Sequence, residues 1–282
     1  MGEDPQQEVP TTETTISTAV EEKQVEERVA IGAHVVYETI RREGEEELAR
    51  PGAALAWSGL AAGLSMGFSF IAEALIQNRL PDRPWAVLIS RFGYSVGFLI
   101  VVLGRQQLFT ENTLTVILPL LLSKKLSVLM RVLRLWSIVL VCNLVGTFVF
   151  AFCIAHVAIF DGSVRHALTQ IGVVHLGMNF WIVLVRAIFA GWLIALMVWL
   201  LPAAEHSRLS IIIIVTYLVG LGGFNHIIAG STTMFYLVAI KYVSWKVYAV
   251  DFFAPTLLGN IIGGVSLVAA LGHAQVVGGR EN

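Results

Sequence analysis

The sequence predicts an all-α membrane protein with six transmembrane helices, of which the second and the fifth are interrupted. The chain of 282 residues is 56% hydrophobic, with a mean hydropathy of +0.74, above the range of soluble globular proteins. Apolar runs of about 20 residues, the length that crosses a bilayer, recur along it. Two of these runs contain glycines together with polar side chains, which predicts a break in the helix.

The first 50 residues are predicted to form a cytoplasmic segment ahead of the pore domain. Residues 1–20 are polar and rich in Thr and Glu, so we expect them to be disordered. From residue 21 to residue 50, apolar side chains recur every three to four positions. This spacing predicts an amphipathic helix that lies along the membrane surface or covers the cytoplasmic mouth. Gly44 and then Pro51-Gly52 are expected to interrupt it.

The six predicted spans make up a pore domain at residues 51–275, followed by a short cytoplasmic tail at residues 276–282. They cover Ala53–Ile76, Ala86–Leu122, Leu133–Phe160, Val173–Leu201, Ile211–Ile240 and Phe253–Leu271. The segments between them are expected to be loops. Glu73 falls near the outer end of the first span, from where its side chain is expected to reach the membrane surface.

The distribution of charge predicts the orientation. Lys124, Lys125, Arg131 and Arg134 lie between the second and third spans, and the positive-inside rule places this cluster and both termini in the cytoplasm. The net charge of −1 conceals an acidic first 50 residues and a basic remainder. Basic side chains at a pore mouth attract anions, although the same side chains can contact lipid headgroups.

The break in the second span lies at residues 104–113, where apolar residues give way to polar ones. Arg105 and Glu111 would be stranded if this segment faced lipid, so it is buried in protein or lines water. These two side chains are expected to form an ion pair that braces the loop. The segment resumes its apolar character at Leu114.

The break in the fifth span carries an ionisable side chain, His226, among glycines and small polar residues. A titratable group at this depth marks a substrate or proton path. Interruptions at corresponding places in two halves of a chain are typical of inverted repeats around a central transport site. The pattern therefore predicts transport across a membrane and not catalysis.

Four motifs, in order along residues 53–272, resemble those of the formate/nitrite transporter family. They are Leu108-Phe109-Thr110 in the second span, Asn143-Leu144-Val145-Gly146 in the third, Phe224-x-His226-x-Ile228-Ala229 in the fifth and Gly259-Asn260-Ile261-Ile262-Gly263-Gly264 in the sixth. The acidic N-terminal extension is similar to that of a bacterial inner-membrane branch of the family. The resemblance implies an aquaporin-like homopentamer with one pore per subunit and a path for formate, nitrite or hydrosulfide.

The resemblance also implies which side chains line that path. His226 is the central histidine, Leu108 and Phe109 belong to a constriction, Thr110 supplies a hydroxyl, and Asn260 is a polar partner. Phe224 lies in the same fifth-span motif.

Three positions depart from the family pattern. Asn225 and Gly230 replace a glutamate and an asparagine, and His175 stands where the glutamate's lysine partner is expected. Loss of both charges avoids an unpaired buried charge. Gly230 is expected to widen the path, which would admit a larger or neutral solute.

The chemistry expected at His226 does not depend on the resemblance. An anion that enters an apolar constriction loses its hydration at a large cost in free energy, and protonation removes most of that cost. Histidine, with a reference pKa near 6.5, can exchange a proton near neutral pH. The hypothesis is that the anion takes a proton at His226, or from water polarised there, and passes Leu108 and Phe109 as a neutral species.

Two other classes of protein share a six-span architecture. A water or neutral-solute channel of the aquaporin type would carry Asn-Pro-Ala motifs at its breaks, and the sequence has none. An intramembrane serine protease would combine His226 with Ser231, but no Gly-x-Ser-x-Gly surrounds that serine. The sequence shows no metal-site, phosphate-loop or nucleic-acid motif, so no cofactor, metal or nucleic acid is predicted as a partner.

Overall fold

The computed structural model describes residues 32–267, and the expectations for residues 1–20, for the start of the predicted helix at residues 21–31 and for the tail at residues 276–282 lie outside the described residues. Helices are the regular secondary structure of the described part. They are α1 (Ala33–Ala49), α2 (Gly52–Arg79), α3 (Ala86–Leu103), α4 (Asn112–Ser123), α5 (Leu126–His156), α6 (Gly162–Val173), α7 (Phe180–Leu200), α8 (Arg208–Leu221), α9 (Ile227–Ala239) and α10 (Val247–Leu267).

Five helices of the described part, α2, α3, α5, α7 and α10, are long and apolar enough to cross a membrane. The chain leaves the helical conformation at residues 104–111, between α3 and α4, and again at residues 222–226, between α8 and α9. These are the places where the sequence predicts the two breaks. Each break divides an apolar run into a longer first part and a shorter second part.

The predicted boundaries around the fourth run are wrong. Residues 162–173 form α6 and not a loop, and α7 begins at Phe180 rather than at Val173. Each start has a local cause, because an Asp or Asn side chain satisfies free N–H groups of the first turn. Asp161 accepts from the Val164 N–H at 2.9 Å, which lowers the pKa of its carboxyl group, and Asn179 accepts from the Ile182 N–H at 2.9 Å.

The predicted third and sixth runs begin too late. α5 begins at Leu126 rather than Leu133, and α10 begins at Val247 rather than Phe253. Charged residues in these first turns suggested loops, but they lie on exposed helix faces. Arg131 of α5 and Asp251 of α10, for example, are both exposed. α10 opens with a π-helical turn at Val247–Phe253.

The amphipathic helix α1 packs on α4 at one end of the helical assembly. Its buried face includes Val36 and Ile40, as the spacing predicts. Gly44 does not interrupt it, contrary to expectation. A side chain at Gly44 would come within 2.2 Å of the Thr115 carbonyl oxygen, so the glycine allows α1 to touch the α4 backbone. On the outer face, hydrogen bonds from arginines hold the pKa of Glu38 at about 2.

Two pairs of long helices, α2 with α5 and α7 with α10, pack closely along their lengths. A glycine on the first helix of each pair lies against an asparagine backbone on the second. A Cβ at Gly63 would lie 2.2 Å from the Asn143 carbonyl oxygen, and one at Gly191 would lie 2.4 Å from that of Asn260. These contacts place both asparagine side chains in the interior, next to the two breaks.

Candidate functional site

The two breaks meet at a hydrogen bond between Thr110 and His226. Thr110 lies just before α4, and His226 lies just before α9. Thr110 Oγ1 and His226 Nε2 are 2.8 Å apart, and both side chains are buried. Residues more than a hundred positions apart in the chain thus form one polar centre between two helix ends.

The hydrogen bond at Nδ1, the other ring nitrogen of His226, determines the tautomer of the imidazole. His226 is the N-cap of α9, and its Nδ1 accepts from the Ala229 N–H at 3.2 Å. A neutral imidazole that accepts at Nδ1 carries its proton at Nε2. The Nε2–H group therefore donates to Thr110 Oγ1. Protonation of Nδ1 would break the cap bond and place a cation at the positive end of a helix.

Asn260 of α10 holds the break before α9. Its side-chain oxygen accepts from the Ile227 N–H at 2.8 Å, and its amide nitrogen donates to the carbonyls of Asn225 (2.9 Å) and Ala187 (2.8 Å). The side chain is completely buried. It satisfies backbone groups that a break at this depth leaves without a helical partner.

Asn143 of α5 holds the break before α4 with the same set of bonds. Its oxygen accepts from the Phe109 N–H at 2.9 Å, and its amide nitrogen donates to the carbonyls of Gln107 (2.9 Å) and Gly59 (2.7 Å). The carbonyls of Gly59 and Ala187 belong to α2 and α7 respectively. Each asparagine therefore ties a break to the long helix beside it.

Leu108 and Phe109 lie side by side with Thr110 in the break, and both side chains are buried. The Phe109 ring meets Trp136 of α5 edge to face, with ring centroids 5.8 Å apart. Both residues belong to the same buried apolar cluster as Ile40 of α1.

The expected ion pair between Arg105 and Glu111 is wrong. The five ion pairs of the described residues do not include it, and Glu111 Oε1 is buried without a hydrogen-bond partner there. Arg105 lies near enough to Glu43 of α1 for its charge to act on that carboxyl group. Burial raises the pKa of Glu43, and the positive charges of Arg105 and Arg208 oppose that rise.

His175 lies in the non-helical segment before α7 and contacts the break before α9. Its Nδ1 is 3.0 Å from Asn225 Oδ1. The Asn225 Nδ2 group is buried without a partner within the described residues. An imidazole and a carboxamide thus meet at this break.

A small cavity adjoins His226, and we call it the histidine cavity; its lining does not include Leu108 or Phe109. Its volume is about 30 Å³, roughly the space of one water molecule. Phe224 lines it and stacks on Phe189 of α7, with ring centroids 5.3 Å apart. Its lining further includes Ser69, Glu73, Arg91, Tyr94, His175, Gly223, His226, Gly230 and Thr233.

Gly230 does not widen the path, contrary to expectation. A Cβ at this position would lie 2.3 Å from a ring carbon of Phe252. The phenyl ring, from the π-helical turn of α10, occupies the space that a side chain at Gly230 would use. Phe252 therefore fills the space beside Gly230, and the sequence did not predict this contact.

Glu73 does not reach the membrane surface, contrary to expectation. Its side chain is buried and forms an ion pair with Arg91 of α3, and both line the histidine cavity. Sequence reasoning missed Arg91 altogether. Arg91 could have been singled out from the sequence, because an arginine within an apolar run needs a partner or water. Its partner Glu73 could not have been identified, because it lies on another helix.

Ser231 is not arranged as a nucleophile. Its Oγ lies 3.2 Å from the Tyr248 hydroxyl, and Nε2 of His226 is bonded to Thr110. Within residues 32–267, no group of three or more His, Cys, Asp and Glu side chains is placed to hold a metal ion.

Comparison with known proteins identifies relatives along most of the chain. The family model described as formate/nitrite transporter matches residues 34–274. The chain is 40% identical over 257 residues to "Inner membrane protein YfdC" of Escherichia coli K12, covering 91% of this chain and 83% of that protein. It is 26% identical over 239 residues to "Formate channel BtFdhC" of Bacillus thuringiensis, covering 83% and 91%.

Two solved structures share the fold. One is described as a pentameric formate channel with formate bound, with a TM-score of 0.66, 19% identity and coverage of 84% of this chain and 99% of that one. The other is described as an FNT family ion channel, with a TM-score of 0.69, 16% identity and coverage of 86% and 99%.

Proposed function

Because the chain belongs to the formate/nitrite transporter family, we propose that this multi-pass membrane protein carries small monovalent anions, or their conjugate acids, past the Thr110–His226 centre. Formate, nitrite and hydrosulfide are the substrate class. The bond between Thr110 and His226 is the observation that carries the proposal, because it joins both breaks at one buried polar point. Family and structural relatives are channels or transporters, and the protein is not an enzyme.

The apolar side chains next to the polar centre determine which species can pass. Leu108 and Phe109 are buried beside Thr110, and a charged solute would lose its hydration there without compensation. A protonated, neutral acid avoids most of that cost. Passage as the conjugate acid therefore fits a polar centre followed by an apolar constriction.

Water in the histidine cavity is the better of the two proton routes that the sequence suggests. The Nδ1 atom of His226 is engaged as the cap of α9, so an imidazolium would lose that bond. The cavity has room for about one water molecule beside the ring. We infer that His226 and Thr110 orient the anion and this water, and that the water relays a proton from the bulk solution to the anion, so that no hydroxide is left in the cavity.

Flux measurements in proteoliposomes test the role of His226. The variants His226→Asn and His226→Ala are expected to alter the pH dependence of formate flux, because both remove the imidazole that orients the anion and the water. The exposed His156, at the end of α5, provides the control His156→Asn. An unchanged pH dependence in both His226 variants would rule out a proton-handling role.

The six-helix count and the inverted repeat are part of the same proposal. Six crossings result when α3 with α4, and α8 with α9, each count as one interrupted helix beside α2, α5, α7 and α10. The matched bonds of Asn143 and Asn260 support two related halves. Each half then consists of a long helix, an interrupted helix and a second long helix.

Assembly and orientation are also proposed. A pentamer with one pore per subunit is supported by the pentameric formate channel that shares the fold. The inner-membrane relative and the basic residues at Lys124 and Lys125 support a bacterial inner membrane with both termini in the cytoplasm.

The alternative function is a pore for water or a neutral small solute. The loss of charge at the contact between Asn225 and His175 favours it, since neither side chain there is a fixed ion. Flux of glycerol or urea through wild-type protein, without flux of formate or nitrite, would support this alternative.

A further inference from the structure

An ion pair lines the histidine cavity, and the proposed function gives it no role. Glu73 of α2 and Arg91 of α3 meet through Oε1 and Nη1. Their side chains are 3% and 16% exposed. A buried ion pair is weak evidence for stability, because desolvation offsets the attraction between the charges. Its place in the wall of the cavity beside His226 indicates a function.

The backbone explains why these two side chains meet. Gly93 follows Arg91 within a 3₁₀ turn of α3. A Cβ at Gly93 would lie 2.4 Å from the Glu73 backbone nitrogen. The glycine therefore allows α3 to touch α2 at the level of Glu73, and the neighbouring arginine then reaches the carboxylate.

Arg91 keeps hydrogen-bond donors free. Its Nη1 is bonded to Glu73, and its Nε and Nη2 have no partner within the part of the chain that the structure describes. A guanidinium group presents five N–H donors, and its Nε–Nη2 edge offers two parallel ones. That edge matches the spacing of two oxygens in a planar oxyanion.

We propose that Arg91, held by Glu73, is the docking site for a planar oxyanion at the wall of the histidine cavity, and that this wall opens beyond its volume of about 30 Å³ when the anion enters. The site would select carboxylates and nitrite over single-atom or spherical anions such as hydrosulfide. This inference rests on the proposed function and specifies its substrate class. It also makes Arg91 of α3 the positively charged side chain of the anion path.

The partner carboxylate makes the site suited to transport. A lone arginine in a buried wall would hold an anion tightly, and the empty site would leave an unpaired charge. Glu73 keeps the guanidinium paired between passages and weakens its net attraction. A conduction site must bind strongly enough for entry and weakly enough for release.

The substitution Arg91→Lys tests the fork geometry, since it keeps the positive charge opposite Glu73 but removes the bidentate edge. In proteoliposomes of the full chain, with the flux of protein-free vesicles subtracted, the ratio of formate flux to hydrosulfide flux should fall about tenfold. Arg134→Lys, at the Arg50 contact outside the cavity, should leave the ratio unchanged. An unchanged ratio in Arg91→Lys would overturn the proposal and leave anion transport itself intact.

If Arg91→Lys does not elute as a folded oligomer, the double variant Glu73→Gln/Arg91→Gln replaces it in the test. The double variant leaves no unpaired charge, because it removes both members of the ion pair. It should lose the preference for formate over hydrosulfide. A pair that merely braces α2 against α3 would change the thermal stability of the protein without changing the preference, and that result would also overturn the proposal.

Binding separates this inference from the proposed function. Formate should raise the unfolding temperature of the purified wild-type protein and should raise it less in Arg91→Lys. If the wild type carries no anion, the proposed function fails, and this binding comparison still decides on Arg91. Equal stabilisation of both proteins, or none in the wild type, would reject Arg91 as the docking site.

Discussion

The imidazole of His226 makes three contacts at once. It donates to Thr110, accepts from the first turn of α9, and meets the Phe98 ring edge on, with ring centroids 5.0 Å apart. These contacts hold the ring in one orientation and one tautomer. A ring held in this way can orient a solute without a large rearrangement.

The orientation of the His226 ring depends most directly on the Thr110 hydroxyl group. Thr110→Val keeps the shape but removes the hydroxyl, so the buried Nε2–H loses its acceptor. We expect flux to fall by about tenfold or more, as for the loss of one buried hydrogen bond of about 1.5 kcal/mol. Thr110→Ser should retain most of the flux in the same assay. Equal flux in the valine and serine variants would contradict a role for the hydroxyl.

At the scale of elements, two helices stop and restart inside the protein. A break there leaves backbone donors and acceptors without water, and each one that remains unsatisfied is costly. Asn143 and Asn260 provide the missing partners from α5 and α10. The close packing of α2 on α5 and of α7 on α10 delivers these asparagines to the breaks.

Removal of either asparagine should destabilise its break. We expect Asn260→Ala and Asn143→Ala each to cost about 3 kcal/mol, since each uncompensated buried group costs about 1–3 kcal/mol. Unfolding in detergent measures this. Asn179→Ala, which removes the exposed cap of α7, is the control and should cost about 1 kcal/mol. Costs near that of the control would show that the breaks do not depend on these bonds.

At the scale of the whole molecule, many large apolar side chains are exposed on a single chain. Trp57 and Trp181 are 73% and 71% exposed. Lipid and neighbouring subunits are the surroundings that suit such a surface. The exposed tryptophans are suited to membrane interfaces or subunit contacts.

Oligomer size is the prediction at this scale. Purified protein is expected to have the mass of five chains of 30.8 kDa each, after subtraction of the detergent. Light scattering coupled to gel filtration, with native mass spectrometry as an independent check, measures it. A monomer that retains full flux would contradict assembly as a condition for the pore.

Hydropathy and local motifs predicted the helical membrane class, both breaks, and the family. They also singled out Thr110, His226, Asn225, Asn260 and His175, which the structure joins in hydrogen bonds. These features could be read because periodicity, breaks and motifs are local properties of the chain. Helix α6 was missed because its polar residues resemble a loop, although Asp161 signals its start.

The tertiary structure alone decided which distant groups meet. The sequence contains Glu73 and Arg91, but only the contact of Gly93 with α2 makes them partners. It contains Gly230, but only the position of Phe252 shows that no space opens there. Arg105 and Glu111 are close in the chain, yet they do not pair. Composition and sequence pattern determined that this is a helical membrane protein with non-helical breaks at residues 104–111 and 222–226. Packing determined which charges and rings form its centre, because burial and pairing depend on neighbours that the chain brings together only when folded.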